Sequence, residues 1–340
     1  MTPDELRERL ARFIATAANV TDVRIEGLRK LPGGASREIW SLDAIYRQGR
    51  DDVRLPLVLR RDPGGATLQS QRREEFRVQQ AAYAEGVAVP RPYWLAEDAA
   101  ALGAPSYLMQ RVDGETLARR LLRDAEYAPA RERLTEQLGA MLARIHAVDV
   151  ARHDLRFLTA PEAGQSPALA ELERYEQIYR GIAPQPHPAF ELTLRWLRQH
   201  LPGDAVHTLV HGDYRIGNVI FGPEGLRAVL DWELAHVGDP AEDLGWLCVR
   251  AWRFGSDHKP VGGIGEREDL LAAYARAGGA AVDAARLRFW EVFGNLRWAI
   301  ICIMQAKTHL DGLVRSVELA AIGRRIAETE IELLNLIDEP

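Results

Sequence analysis

The opening stretch MTPDELRERLARFI sets apolar residues among charged ones at helical spacing and predicts a capped amphipathic helix over residues 4 to 17. Beyond it the pattern turns to short strands. Val23-Arg-Ile25 begins a sheet, and a strand pair flanks Leu31-Pro-Gly33-Gly34-Ala35-Ser36 with Ile39-Trp-Ser-Leu42 on its far side. Leu55-Pro-Leu-Val-Leu59 follows as a third strand. Residues 68 to 85 return to helical spacing with no internal glycine or proline and stop at Gly86. Pro90, Pro92 and Pro105 bracket short strands, the last being Ser106-Tyr-Leu-Met-Gln-Arg-Val112. From Leu117 the signals are helical: residues 117 to 123, 130 to 147, 190 to 201, 267 to 277, 283 to 309 and 314 to 336. The proline-rich residues 159 to 188 read as an irregular insertion with one moderate helix around residues 169 to 179.

The 340 residues exceed one typical domain and suit two lobes with a substantial core. A net charge of -6 and a pI near 5.9 give no field favouring nucleic acid or an anionic membrane, so neither is expected as a partner. Of 43 basic residues only Lys30, Lys259 and Lys307 are lysines, which makes any isolated arginine weak evidence of a site. Cys248 and Cys302 stand alone in apolar sequence, without the spacing of a disulfide framework or zinc site. The N-terminus lacks the apolar core of a signal peptide, and a cytoplasmic location is expected. The run Trp298-Ala-Ile-Ile-Cys-Ile-Met304 is too short for a membrane span and predicts a buried helix.

Candidate chemistry concentrates in His211-Gly-Asp213-Tyr-Arg-Ile-Gly-Asn218, followed thirteen residues later by Asp231-Trp-Glu233. Phosphoryl transfer from Mg-ATP needs a carboxylate to accept the proton of an attacking hydroxyl, with an amide and a second carboxylate on magnesium. Asp213 suits the first task, Asn218 and Asp231 the other two. Between them, Val219-Ile-Phe221 and Leu226-Arg-Ala-Val-Leu230 around Gly222-Pro-Glu-Gly225 predict a β-hairpin that returns Asp231 towards Asn218. The alternative is that Asp213 and Asn218 only organise a loop.

HGDYRIGNVIF, VLDWE and GDPAEDLGW together resemble the aminoglycoside phosphotransferase family of kinase-like proteins, in the branch that includes kinase domains found with some acyl-CoA dehydrogenases. The resemblance runs from the glycine-rich segment near residue 33 to the helices after residue 285. It implies an α+β, bilobal protein-kinase-like fold, with a small β-rich lobe in residues 1–112 and a larger, mostly helical lobe in residues 113–340. It implies ATP and Mg2+ as cofactors and a small-molecule hydroxyl as acceptor, and it leaves the acceptor open. In this frame Gly33, Gly34 and Ser36 approach the phosphates, although two glycines between strands also make a plain hairpin. No lysine lies between Lys30 and Lys259, so Leu57-Val58-Leu59-Arg60 puts Arg60 where a kinase places its phosphate-binding lysine, with Glu75 as partner. The alternative is an Arg60 solvated at a strand end. Gln110 and Val112 resemble the hinge that bonds the adenine edge. His211, Asp239 and Asp243 are expected as braces, His146 as a packed core residue, and Glu233 as either site or solvent group.

A metal-dependent small-molecule kinase is the leading reading. A nucleotide-binding regulatory pseudokinase is motivated by Arg60 and by the unusual glycine loop at Gly33-Gly34, but the intact Asp213, Asn218 and Asp231 oppose it. A protein kinase lacks its Ala-Pro-Glu segment here. For the acceptor, residues 288 to 310 carry Arg288, Arg297 and Lys307 against one acid, Glu291, and late helices wall the cleft in the family. This favours a neutral or anionic metabolite, such as a hydroxyacyl-CoA thioester, over an aminoglycoside.

Overall fold

The computed structural model describes the chain except residues 32–37, 63–66, 184, 204–205 and 339–340, with residues 67–71 described for backbone only. Gly33, Gly34 and Ser36 therefore lie outside the described residues. The chain forms two compact units, one of Met1–Gly114 with Arg227–Glu233, the other of Glu115–Leu226 with Leu234–Pro340.

The first unit is built on α1 Pro3–Ala18, β1 Arg24–Leu31, β2 Glu38–Gln48, β3 Asp51–Arg61, α2 Thr67–Ala84, β4 Pro92–Ala96, α3 Ala99–Leu102 and β5 Ser106–Gln110. Thr2 and Glu5 close a capping box at the start of α1: Thr2 Oγ1 accepts the Glu5 N–H (3.2 Å) and Glu5 Oε2 accepts the Thr2 N–H (2.8 Å). The antiparallel sheet has strand order β1-β2-β3-β5-β4. Strand alternation sorts its two faces. Leu57 and Leu59 join Leu6, Leu10 and Ile14 of α1 in one core, while Val58 joins Phe76 of α2 and Tyr107 in another. Arg60, two residues after Val58, consequently points to the α2 side, in register with Tyr107.

β2 and β3 extend well past the predicted apolar cores. The polar positions that hid them pair off instead: Asp43 meets Arg54 at 2.6 Å and Arg111 at 2.7 Å. β5 ends at Gln110, two residues earlier than expected.

The second unit adds α4 Ala118–Arg123, α5 Ala128–His146, α6 Pro167–Ile182, α7 Pro188–Gln199, β6 Thr208–Val210 and β7 Val219–Gly222. β8 Gly225–Val229 leads into the returning segment of the first unit, and β9 His236–Gly238, α8 Ala241–Cys248, α9 Arg267–Arg276, α10 Ala284–Leu310, α11 Val317–Gly323 and α12 Ile326–Asp338 complete the order. Within the expected insertion, the helix anticipated around residues 169 to 179 is α6, which runs from Pro167 to Ile182. Pro167 occupies its first turn, where a missing N–H is harmless, and Leu172, Tyr175 and Tyr179 bury against Phe293 and Leu296 of α10. The fully buried Leu172 contributes roughly 1.5–3 kcal/mol. The single helix expected over residues 314 to 336 is two, α11 and α12. Gly323 closes α11 where a Cβ would lie 2.7 Å from Ala306 Cβ of α10. The Trp298–Met304 run lies within α10, and among the described residues no helix is long and apolar enough to cross a membrane.

Candidate active site

In the second unit, β6 delivers the chain into His211-Gly212-Asp213. Gly212 has φ 79°, and a Cβ there would stand 2.3 Å from the Leu234 carbonyl oxygen, so only glycine fits. Asp243, in the first turn of α8, accepts the N–H groups of His211 (2.8 Å) and Gly212 (2.9 Å). Burial alone would raise the Asp243 carboxyl, but the hydrogen bond and charge of His146 and the backbone of His211 hold it below its ordinary value. His146 is thus more than the packed core residue expected. Its Nε2 lies 3.1 Å from Asp243 Oδ2 and its Nδ1 2.9 Å from the Tyr274 hydroxyl. Asp239 braces α8 to α10: Oδ1 accepts the Ala241 N–H, and Oδ2 accepts Arg286 Nε and Trp290 Nε1, each at 2.9 Å. His211 is fully buried, and its Nδ1 accepts the Asp213 N–H at 3.2 Å.

The Asp213 carboxylate is held from three directions. Oδ1 accepts Trp246 Nε1 at 2.8 Å and Arg215 Nε at 3.1 Å, while Oδ2 accepts Asn218 Nδ2 at 2.5 Å. The same Nδ2 donates to the Asp213 carbonyl at 2.9 Å, and a one-turn 3-10 helix, Ile216–Asn218, sets its position. Asn218 Oδ1 accepts no hydrogen bond among the described residues, which leaves it available to a hard cation.

In the first unit, Arg60 and Glu75 are almost fully buried and meet at 3.0 Å, and Arg60 Nη1 also reaches Asp231 Oδ1 at 2.6 Å. Burial alone would depress the Arg60 guanidinium, but Tyr107, Glu75 and Asp231 raise it well above its ordinary value. Burial likewise pushes the Tyr107 phenol far up, so it stays protonated and donates to Glu75 Oε1 at 3.0 Å. Arg72 pairs with both Glu75 and Asp62. Its i,i+3 spacing from Glu75 was a legible signal that the sequence reading missed. Asp231 has φ 62°, in the left-handed region that aspartate tolerates better than most residues. At the expected hinge, the Gln110 N–H is taken by the Arg91 carbonyl (2.8 Å), whereas the Val112 backbone makes no hydrogen bond among the described residues.

The α10 charges do not form the basic cleft wall that residues 288 to 310 suggested. Arg297 is buried against Glu242 (2.9 Å), Glu291 is buried against Arg253 and Arg267, Arg288 caps the Leu336 carbonyl, and Lys307 pairs with Asp311 on the surface. Linear charge counting cannot see such internal pairs. A different set of cations lines a cavity of about 610 Å³ in the second unit: Arg119, Arg123, Arg250 and Arg325, against Asp257 and Glu328. Arg119 and Arg123 are exposed and make no ion pair among the described residues. An aromatic series runs from the Trp246 that bonds Asp213, with Trp246 on Trp252 (5.3 Å between centroids), Trp252 on Trp298 (4.8 Å) and Arg325 of the cavity lining over Trp298 (5.7 Å).

The family model described as "Phosphotransferase enzyme family" matches residues 29–290. Acyl-CoA dehydrogenase family member 11 of Pongo abelii is 29% identical over 327 residues, covering 88% of this chain and 41% of that protein. The chain thus spans about two fifths of the length of such curated relatives. A putative aminoglycoside phosphotransferase from Ralstonia eutropha JMP134 superposes with a TM-score of 0.76 at 24% identity, covering 97% of each chain. The GDP complex of aminoglycoside 2'-phosphotransferase-IIIa gives 0.64 at 13% identity, covering 96% of this chain and 99% of that one. Both share the kinase-like phosphotransferase fold, a β-sheet N-terminal region followed by a helical C-terminal region.

Proposed function

We propose that this chain, which belongs to the phosphotransferase enzyme family, transfers the γ-phosphoryl group of ATP to a hydroxyl of a small anionic molecule, with a hydroxyacyl-CoA thioester as the favoured acceptor. The observation that carries the chemistry is the hold on Asp213. Oδ1 is doubly hydrogen-bonded, so Oδ2, with one donor, is the oxygen that accepts the acceptor's proton. The deprotonating hydroxyl oxygen attacks the γ-phosphorus, the bond to the β,γ-bridging oxygen breaks, and ADP leaves. Asn218 Oδ1 and the Asp231 carboxylate are the hard oxygen donors that magnesium selects. Magnesium, when bound, neutralises charge on the phosphate oxygens. Arg60 serves the phosphates in place of lysine, steadied by Glu75. Val112, whose backbone is unpaired among the described residues, is assigned to the base, and Gly33, Gly34 and Ser36 remain assigned to the phosphates by their sequence alone.

The arginine-lined cavity supports the acceptor class. Four guanidiniums against two carboxylates leave an excess of two positive charges, suited to phosphates and opposed to a polycation. The test is side-by-side steady-state phosphorylation of hydroxyacyl-CoA compounds, choline, homoserine and aminoglycosides. Turnover of the CoA thioesters is expected, and efficient turnover of an aminoglycoside with none on anionic acceptors overturns the reading.

A further inference from the structure

His236, on β9, has a hydrogen-bond acceptor at each ring nitrogen. Nδ1 lies 2.9 Å from the Leu234 carbonyl oxygen and Nε2 3.0 Å from Glu242 Oε2. With Glu242 ionised, both acceptors are satisfied only when each ring nitrogen carries a proton, as in an imidazolium. A Glu171 carboxylate oxygen completes a buried cluster in which the ligand atoms of Glu171, His236 and Glu242 lie within 4.8 Å of one another. Glu171 is in turn gripped by Arg174 at 3.0 and 2.6 Å.

Glu242 passes the charge onward. Its Oε1 accepts Arg297 Nη1 at 2.9 Å, and Arg297 Nη2 donates to the Gly212 carbonyl at 2.8 Å. The Arg297 guanidinium also lies 4.6 Å from the ring centroid of Trp246, the indole whose N–H holds Asp213 Oδ1. Arg297 therefore touches the Asp213 segment twice, once through the preceding carbonyl and once through the indole. Leu234 closes the circuit, since its carbonyl takes the His236 Nδ1 proton and lies against Gly212, where a Cβ would be 2.3 Å away.

We infer that His236, as an imidazolium, is a positioning residue for the Asp213 segment, acting through Glu242 and Arg297 on the Gly212 carbonyl and the Trp246 indole. The inference rests on the reading of Asp213 as the general base. A divalent cation is the competing occupant of the same three side chains. It would displace the imidazolium proton and raise the local charge from +1, for His236, Arg174 and Arg297 against two glutamates, to +2, for the ion and two arginines against the same pair. That increase is unfavourable in a buried cluster.

Burial works against the charged ring, but the charge and hydrogen bond of Glu242 and the charge of Glu171 raise its pKa from 6.5 to about 9. The groups facing it are Glu171 and Arg174 on α6, Glu242 on α8 and Arg297 on α10. With the folded pKa above the free value, the bracing is complete below about 6.5 and is lost as pH rises through about 9.

The experiment joins histidine ring 15N spectroscopy of the full chain with hydrogen exchange of residues 210–215 in the wild type, His236→Gln and Glu242→Gln, and adds a Zn2+ titration. Both His236 nitrogens should be protonated at pH 7 and titrate near 9. Protection of 210–215, referred to α10, should fall above that pH in the wild type and by about tenfold in both variants at pH 7. The kcat should drop about tenfold with nucleotide KM within about twofold, the scale of lost outer-shell orientation. A neutral His236 at pH 7, or stoichiometric Zn2+ uptake that displaces its protons, overturns the inference from the wild type alone, as does unchanged protection in folded His236→Gln. Failure of the Asp213 assignment would appear separately, as retained turnover in Asp213→Asn with the ring state and loop exchange unaltered.

Discussion

Arg60 Nη1 lies 2.6 Å from Asp231 Oδ1, and the same nitrogen lies 3.0 Å from Glu75 Oε1. One guanidinium thus answers two carboxylates to which the sequence assigned different tasks, a clamp and a metal ligand. Tyr107 and Arg72 satisfy the remaining acceptors of Glu75. The network fixes Arg60 from the α2 side and leaves Asp231, 38% exposed, as its changeable partner.

Arg60→Ala is expected to weaken ATP binding by about tenfold or more while adenosine binding changes little, because the contact proposed for it is a charge-assisted one to phosphate. It also removes one of the two cations on the buried Glu75, which keeps Arg72 and Tyr107, so the loss of stability should stay below the roughly 3–5 kcal/mol of a buried charge left wholly unpaired. Calorimetric titration with both ligands, alongside thermal unfolding, separates the two effects. Equal weakening of ATP and adenosine would contradict the phosphate role. Arg60→Lys should recover part of the ATP affinity.

Asp213→Asn should bind Mg-ATP near normally and lose acceptor phosphorylation by about 100 to 10,000-fold, the usual range for a missing general base. Trp246→Phe removes only the indole N–H at Oδ1. A smaller fall in kcat, about tenfold, with unchanged KM is expected of a group that orients the base. Near-full turnover in Asp213→Asn would refute the assignment.

The sequence was most informative where local chemistry decides the structure. The spacing of Asp213 and Asn218 places both on one short loop, so their contact is a local event. Arg60 and Glu75 were legible because strand alternation and helical spacing each fix a facing direction. Arg297 was misread because its partner Glu242 lies 55 residues away, and only packing brings them together. Trp246 and Tyr107 were missed for the same reason: an apolar position gives no sign that its polar tip will meet a carboxylate. β2 and β3 were read short because charged residues in cross-strand pairs look like turn residues when each strand is read alone.

Asp243→Asn removes the carboxylate that takes two backbone N–H groups and His146. Leaving a buried donor without an acceptor costs about 1–3 kcal/mol, so a loss of that order in unfolding free energy is expected at pH 7. The folded Asp243 carboxyl lies below its ordinary value of 3.8. Its contribution is therefore present above that value and lost as pH falls through the folded pKa. The stability gap between wild type and Asp243→Asn should accordingly narrow on acidification below about pH 4. Denaturant titrations across this range measure it, and a gap independent of pH would show that the carboxylate charge contributes nothing.

Arg119→Glu combined with Arg123→Glu tests the proposed acceptor role of the arginine-lined cavity without touching the groups around Asp213. Both side chains are exposed on α4 at the cavity lining and lack an intramolecular ion partner among the described residues, so reversal should disturb folding little. Against a hydroxyacyl-CoA, reversing two charges should raise the acceptor KM by about tenfold or more at low salt and leave the nucleotide KM in place. Because the contacts are solvent-exposed, the difference from wild type should shrink as ionic strength approaches 1 M, where the screening length is about 3 Å. Steady-state kinetics at two salt concentrations provide the measurement. An acceptor KM that ignores both the reversal and the salt would place acceptor recognition elsewhere on the chain.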